Sequence, residues 1–524
     1  MKFIKILLSL SIFSFLLSTA ALAKDYTRYV DADLKDVYSA SQTPDCQNYD
    51  PSKATCSGGS QSAFSTSADV NSFIKSLQSG DTAKIYFQRG DTWVMNKADD
   101  YIQIRTSGVK VTLDAFGNGN PPVFDGLYNG GNYDADSRFL VNLVAQGQTI
   151  KNLTFKNSYS HAVMVSSGTD HLISNCRFVG IGSAAVSISS DTGGILQYNY
   201  TNDTQKRWRV GADGTGTLGG WPQAFNMNVG SSSKWTIQYN YVSNAYGEGI
   251  GVGSSIVQYN VVTNFRTVGV YMGGRGPGIA RYNLVIGTQN PTYSRQFTNN
   301  RYWSGSGIVI NHENNSKDVD DDQVYGNIVI NCLYGVRFKN AGSSDDALTI
   351  ENVKVHDNMF IDNLVNVTRE NIDKYKNLIF KDNWIIAYDG DSSNQVSTFG
   401  TTPNSTCTIG PNYWNVAPKG GYLFESGFDS VFDPNLAKRS GWYLVSGLES
   451  FEMSDLVPTT PIRSTSTSLS AIVTTSSSSY SFIDVGSGYQ TIPDLKNFSG
   501  LGQSDGADGN VDSVSPPVLK IVNK

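Results

Sequence analysis

A four-residue phrase ending in asparagine recurs along the chain, and its spacing restricts the fold to a stack of short coils. Leu196-Gln197-Tyr198-Asn199 returns as Ile237-Gln238-Tyr239-Asn240, Val257-Gln258-Tyr259-Asn260 and Ala280-Arg281-Tyr282-Asn283. Weaker copies centre on Asn152, Asn175, Asn327, Asn358 and Asn383, giving Asn-to-Asn spacings of 23, 24, 41, 20, 23, 44, 31 and 25. A second phrase lies between these marks. It reads His161-Ala162-Val163-Met164-Val165, Ala184-Ala185-Val186-Ser187-Ile188, Gln223-Ala224-Phe225-Asn226-Met227 and Glu248-Gly249-Ile250-Gly251-Val252. It continues as Val268-Gly269-Val270-Tyr271-Met272, Ser306-Gly307-Ile308-Val309-Ile310 and Tyr334-Gly335-Val336-Arg337-Phe338. A small second residue with apolar third and fifth residues is the alternation of a strand buried on one face.

Two short strands plus turns in each unit of just over twenty residues make one coil of a β-helix. Equivalent residues of successive coils then lie about 4.8 Å apart, the strand-to-strand spacing. The recurrent Asn fits a ladder in which each amide bonds the coils above and below. A helical solenoid is excluded, because its units are longer and would carry a 3.6-residue period. Composition agrees: charged residues are only 16%, against about a quarter in ordinary domains, and 51 residues are Gly. The net charge of −6 argues against a nucleic-acid partner, which needs a basic face.

Two further segments carry a family resemblance. Gly80-Asp81-Thr82-Ala83-Lys84-Ile85-Tyr86-Phe87-Gln88-Arg89-Gly90-Asp91-Thr92-Trp93 resembles the opening strands of secreted pectate-lyase-like β-helix proteins. Val111-Thr112-Leu113-Asp114-Ala115-Phe116-Gly117, through Pro121-Pro122-Val123-Phe124-Asp125-Gly126, resembles their next coil. The resemblance spans about residues 80–390 and implies an all-β, single-stranded, right-handed parallel β-helix. It leaves chemistry open among lyases, hydrolases, epimerases and non-enzymatic adhesins, since fold does not set function.

Residues 1–23 read as a secretory signal: Lys2 and Lys5, an apolar run from Ile6 to Leu17, then Ala21-Leu22-Ala23 before Lys24. The expected product is a secreted, periplasmic or cell-surface protein with no membrane span, taken as a monomer. Residues 24–79 are expected to lead in and cap the first coil, with a short amphipathic helix from Asp69 to Leu77. After 80–390 come an irregular region, 391–458, packing on the helix end and a Ser/Thr-rich tail, 459–524. Cys46 and Cys56 are placed for a local disulfide, whereas Cys176 and Cys332 fall inside repeats as packed thiols.

The spacings of 41 and 44 each imply about twenty extra residues, at 202–222 and 288–305. Both insertions precede a strand phrase, so both leave the same edge of the solenoid, framing a groove about 10–15 Å wide. They hold Arg207, Trp208 and Trp221 in the first, and Tyr302 and Trp303 in the second. Aromatic faces stack on sugars and Arg forks carboxylates; the same aromatics could equally pin long loops to the solenoid. Glu248 stands on the strand edge between the insertions, stacked with Gln223 and Val268, with Ala184 and His161 beneath. Glu248, Arg266 and Tyr271 are the catalytic candidates; Arg207, Trp208, Trp221, Gln223, Arg275, Tyr302, Trp303 and His161 are the substrate-binding ones. Glu248 could instead be a solvated edge residue or a partner for Arg266.

A hydrolase needs two carboxylates about 5–9.5 Å apart, and no Asp or Glu occupies the positions equivalent to Glu248 in adjacent coils. That favours proton abstraction on a uronate-containing glycan, by a lyase or epimerase, where one base and a neutralising cation suffice. A non-catalytic glycan-binding or cell-surface protein, and a glycoside hydrolase using Asp203 or Asp213, are the alternatives. No cofactor is required by this reading. The run Asp318-Val319-Asp320-Asp321-Asp322, after His312 and Glu313, could bind Ca²⁺ or form a solvated acidic turn. No His or Cys spacing indicates another metal.

Overall fold

A computed structural model describes residues 23–32, 49–50, 55–56, 63–95, 100–128, 139–189, 192–208, 222–227, 234–273, 277–288, 290, 293–298, 301–312, 321–340, 349–361, 363–370, 374–386, 406–410, 412–414, 431–432, 472–476 and 479–483. Residues 1–22 of the signal segment and Cys46 lie outside them. Three long parallel sheets of fourteen, thirteen and eleven strands account for most of the described chain. One coil visits them in turn. Lys234–Gln238 lies in the fourteen-stranded sheet (sheet 1), Tyr241–Ala245 in the thirteen-stranded one (sheet 2), and Glu248–Gly251 in the eleven-stranded one (sheet 3). Ile256–Gln258 then begins the next coil in sheet 1.

Each coil therefore has three strands, not the two expected. The asparagine phrase lies at the corner between sheets 1 and 2: it contains the end of a sheet 1 strand and the turn, and the sheet 2 strand begins at the residue after the Asn. The residue before the Asn turns the corner in a left-handed conformation, as at Tyr198 (φ 56°), Tyr239 (φ 56°), Tyr259 (φ 57°) and Tyr282 (φ 55°). Such a φ costs a non-glycine residue about 1–2 kcal/mol. Stacking of the rings offsets part of it: Tyr198–Tyr239, Tyr239–Tyr259 and Tyr259–Tyr282 centroids are 5.2, 5.3 and 5.3 Å apart.

The ladder itself runs through Asn199, Asn240, Asn260, Asn283, Asn327, Asn358, Asn383 and Asn412. Two of the expected members are corrected. Asn152 (φ 60°) and Asn175 (φ 53°) occupy the left-handed turn position, one residue earlier than the ladder. Cys176 stands at the ladder position instead, its N–H donating to Asn199 Oδ1 at 2.9 Å. Both positions favour Asn for different reasons, so a one-residue offset is invisible in the spacing.

The small second residue of the sheet 3 phrase has a steric cause. A Cβ at Gly249 would stand 2.6 Å from Val262 Cγ1 of sheet 2, and Cβ atoms at Gly269 and Gly307 would overlap Val285 and Val329. The interior is one continuous apolar column in which Ile250, Val257, Val262 and Val270 are fully buried, each contributing about 1.5–3 kcal/mol.

The N-terminal end is covered by an added helix. The helix Ser67–Ser76 is held by a Thr66/Asp69 capping box and buries Val70, Phe73 and Ile74. Its Asn71 side chain donates to Tyr101 O at 2.7 Å and accepts from Gln103 N at 2.9 Å, covering the outer edge of Ile102–Ile104, the first strand of sheet 3. The ladders reach beyond 80–390. Asp25–Val30 and Ala63–Phe64 precede that stretch in sheet 1, and Thr408–Ile409, Tyr413–Trp414 and Val431–Phe432 follow in sheets 1 and 2. Two-residue strands are too short to show alternation in sequence, so region 391–458 reads as irregular although its strands continue the solenoid. Within 459–524, Ile472–Ser476 and Ser479–Ile483 pair as an antiparallel hairpin. Cys176 and Cys332 are fully buried thiols; burial pushes Cys176 up to about 12. Among the described residues no helix is long and apolar enough to cross a membrane.

Candidate functional site

Glu248 opens the strand Glu248–Gly251 of sheet 3 and pairs in register with Gln223 on one side and Val268 on the other. Ser306 follows Val268 in the same row. The row points away from the core, yet Glu248 is only 6% exposed and Gln223 8%. Gln223 Nε2 donates to Glu248 Oε2 at 3.0 Å, while Gln223 Oε1 accepts from Met227 N at 3.2 Å. This carboxamide lies where a side chain at position 251 would be: a Cβ on Gly251 would stand 2.6 Å from Gln223 Cδ. Gln205, fully buried, grips the adjoining peptide by accepting from Gly247 N and donating to Glu248 O, each at 3.1 Å. No motif singles out Gln205 in the sequence; only the coil register brings it beside Glu248.

Arg266 belongs to the next coil. Its guanidinium lies 4.6 Å from the Tyr246 ring centroid, a cation–π contact, and its Nε is buried without a hydrogen-bond partner. Tyr271 pairs in register with Gly251, and its phenolic oxygen accepts from Asn311 Nδ2. Its ring extends over Gly273, in the direction opposite to Val268, and so away from Glu248. Three residues and one coil separate the Glu248 and Tyr271 positions, about 11 Å between Cα atoms. Glu248 and Gln223 are thus in contact; Arg266 lies one coil on, against Tyr246, and Tyr271 belongs to a separate part of the same face.

Among the described residues, the two insertions meet at their roots. The first turns back along the solenoid: Lys206 N and Arg207 N donate to Ile181 O and Gly182 O, each at 3.0 Å. Arg207 then lies 4.1 Å above the Tyr159 ring. The second begins at Thr288, whose N–H donates to Ser304 Oγ at 2.8 Å, and contains the antiparallel pairing of Arg295–Thr298 with Arg301–Trp303. Its Tyr293 donates to Asp203 Oδ1 at 3.4 Å, and Lys206 pairs with the other Asp203 oxygen at 3.3 Å. Asp203 and Gly287 occupy equivalent corners three coils apart, about 14 Å. The second insertion therefore spans the coils of Tyr246 and Arg266 at the corner of sheets 2 and 3.

Trp303 is half-buried at the foot of the hairpin, and the Tyr302 backbone pairs with Gln296. The Trp208 and Tyr302 side chains, Trp221 and Arg275 lie outside the described residues. Of the acidic run, 318–320 lie outside them as well, together with Glu313. Asp322 is turned inward, 2% exposed, its Oδ1 accepting from Gly278 N at 2.6 Å. That position serves the coil backbone. No group of three or more potential metal-binding side chains converges among the described residues.

His161 lies in the Glu248 row, three coils towards the N-terminus, and its Nδ1 is buried without a hydrogen-bond partner. Burial, reinforced by the Arg207 guanidinium, holds its pKa down to about 4 from an ordinary 6.5. The unfolded chain protonates this histidine near pH 6.5 and the folded one near 4. Its contribution to stability is therefore complete above about pH 6.5 and is lost as pH falls towards 4, by up to about 3 kcal/mol. Replacing His161 by Phe, the residue at the paired position 139, should shrink the difference between unfolding free energies at pH 7 and 4.5, read from urea titrations, by about 2 kcal/mol. An unchanged difference would show that His161 does not shape the acid limb.

A family model described as "Right handed beta helix region" matches residues 140–293. No curated protein matches the chain. Solved structures with similar folds include a GH136 lacto-N-biosidase from Eubacterium ramulus, at 10% identity over 78% of this chain and 68% of that one, TM-score 0.41. The tailspike protein of E. coli bacteriophage HK620, in complex with a pentasaccharide, aligns at 13% identity over 68% of this chain and 67% of that one, TM-score 0.38. Alginate lyase AlyF-OU02, in complex with G6, aligns at 14% identity over 69% and 85%, TM-score 0.40. With its three parallel ladders and the matched family model, the chain is a right-handed parallel β-helix protein.

Proposed function

We propose that this is an exported polysaccharide-active protein acting on a uronate-containing glycan by proton abstraction, as a lyase or an epimerase. The observation that carries the reading is Glu248 at the sheet 3 face, oriented by Gln223 and one coil from Arg266. In elimination, Glu248 takes the proton on C5 of the uronate while Arg266 neutralises the sugar carboxylate. The C–H electron pair forms the C4=C5 double bond, the C4–O bond breaks, and the departing oxygen takes up a proton. Epimerisation shares the first step and returns a proton to the opposite face of C5.

The positions paired with Glu248 hold Gln223 and Val268, so the row offers no second carboxylate for a hydrolase there. Asp203 is engaged at the corner by Lys206 and Tyr293. One observation favours the non-catalytic glycan-binding alternative: Glu248 is only 6% exposed, as a structural carboxylate would be. A panel of neutral and anionic polysaccharides, read by reducing ends and by ultraviolet absorbance, tests the proposal. Absorbance rising in step with reducing ends on a polyuronate is the expected result for a lyase, and inversion at C5 without cleavage for an epimerase. Reducing ends without absorbance would indicate hydrolysis, and saturable binding without product a binding protein.

A further inference from the structure

We infer that Tyr271 is a stacking platform for a pyranose ring, one coil from Glu248, and not a member of the proton-transfer machinery. The inference rests on the proposal that a glycan lies on sheet 3, and deepens it by naming a subsite. Tyrosine on the open face of a sheet normally stands away from the backbone. Here the next outward position on the strand is Gly273, and the Tyr271 ring occupies the space that a side chain there would fill. A Cβ on Gly273 would overlap Tyr271 Cε1 and stand 2.8 and 2.9 Å from its Cζ and Oη. The ring is thus laid down along the strand, half-buried, with its oxygen held by Asn311 Nδ2 from the following coil. Sugar rings present flat C–H surfaces, and an aromatic ring immobilised along the sheet binds them with little loss of side-chain freedom.

Gly251 performs the same service on the adjacent coil, making room for the Gln223 carboxamide that orients Glu248. Two glycines on adjacent coils, two residues out of register with each other, therefore flatten the floor beside the carboxylate. The about 11 Å between the Glu248 and Tyr271 positions is roughly two sugar residues, so the platform serves a neighbouring unit of the polymer and not the one undergoing reaction.

Glycan affinity and turnover should be measured on the full protein and on Tyr271→Phe, Tyr271→Ala and Gly273→Ala, with folding followed by circular dichroism. Tyr271→Ala should weaken binding by roughly five- to tenfold, and Tyr271→Phe, which keeps the ring face, should weaken it clearly less. Gly273→Ala should weaken binding similarly although Tyr271 is still present, because its methyl group lifts the ring. Loss of turnover in Tyr271→Phe with binding retained would overturn the inference in favour of a proton-transfer role. Wild-type affinity in both Tyr271→Ala and Gly273→Ala would remove the platform and leave the glycan reading standing. Failure of the folded wild type to bind any glycan of the panel would remove both.

Discussion

Replacement of Glu248 by glutamine should lower turnover of the glycan by about 10²–10⁴-fold, the usual contribution of a positioned general base. The substitution isolates charge from shape. Gln223 Nε2 donates to Glu248 Oε2 at 3.0 Å, and a glutamine carbonyl can accept that same bond. The grip of Gln205 on the Gly247–Glu248 peptide involves backbone atoms of residue 248 and is untouched. The denaturation midpoint and glycan affinity should therefore remain close to wild type while the rate collapses. Arg266→Ala should lower the rate as well, with a higher KM for a charged substrate, if it is the cation that neutralises a uronate carboxylate as proposed. Should Glu248→Gln retain turnover within about threefold, the base lies elsewhere, and the buried carboxylate is part of the scaffold.

Asn260→Ala should destabilise the solenoid by about 3–5 kcal/mol, an effect readable as a fall in the urea midpoint for loss of β-sheet signal. Asn260 Oδ1 accepts from Asn240 N at 3.0 Å and from Asn240 Nδ2 at 2.9 Å. Its own Nδ2 donates to Ile237 O at 2.9 Å and Asn283 Oδ1 at 3.0 Å. Asn240, Asn260, Asn283 and Ile237 are all at or near complete burial, so alanine would strand donors and an acceptor with no water to replace the lost partner. Aspartate at the same site would still accept but could not donate to Ile237 O, and should cost a comparable amount. The control is Asn175→Gly. Asn175 has φ 53° and serves the turn, so glycine there should stay within about 0.5 kcal/mol of wild type. Equal losses at 175 and 260 would contradict the assignment of the two positions to different roles.

These two asparagines show where sequence reading succeeds and where it stops. A repeat near twenty-three residues exposes the coil, because stacked coils must place like residues at like intervals. It does not distinguish a turn asparagine from a ladder asparagine, since both sit at the same corner and differ by one position. The tight corner likewise hid the sheet 2 strand, which starts at the residue directly after the phrase's Asn. The row Gln223, Glu248, Val268 and Ser306 was legible, because sheet 3 alternation sets the register directly. Gln205 was not, because no motif marks it and the residues at its equivalent positions, Tyr246 and Arg266, are of different types.

What the amino-acid order determined by itself is the parallel β-helix, the row in which Glu248 stands, and the common edge from which both insertions leave. These follow from alternation and from the strand spacing, which are local and repeated many times. The tertiary structure alone decided that Tyr293 of one insertion reaches Asp203 at the root of the other, that Arg207 folds back onto Tyr159, and that Tyr271 lies over Gly273. Insertions have no period to read, and the direction of an outward side chain depends on the space left by neighbours on other coils. That space exists only once the coils are stacked.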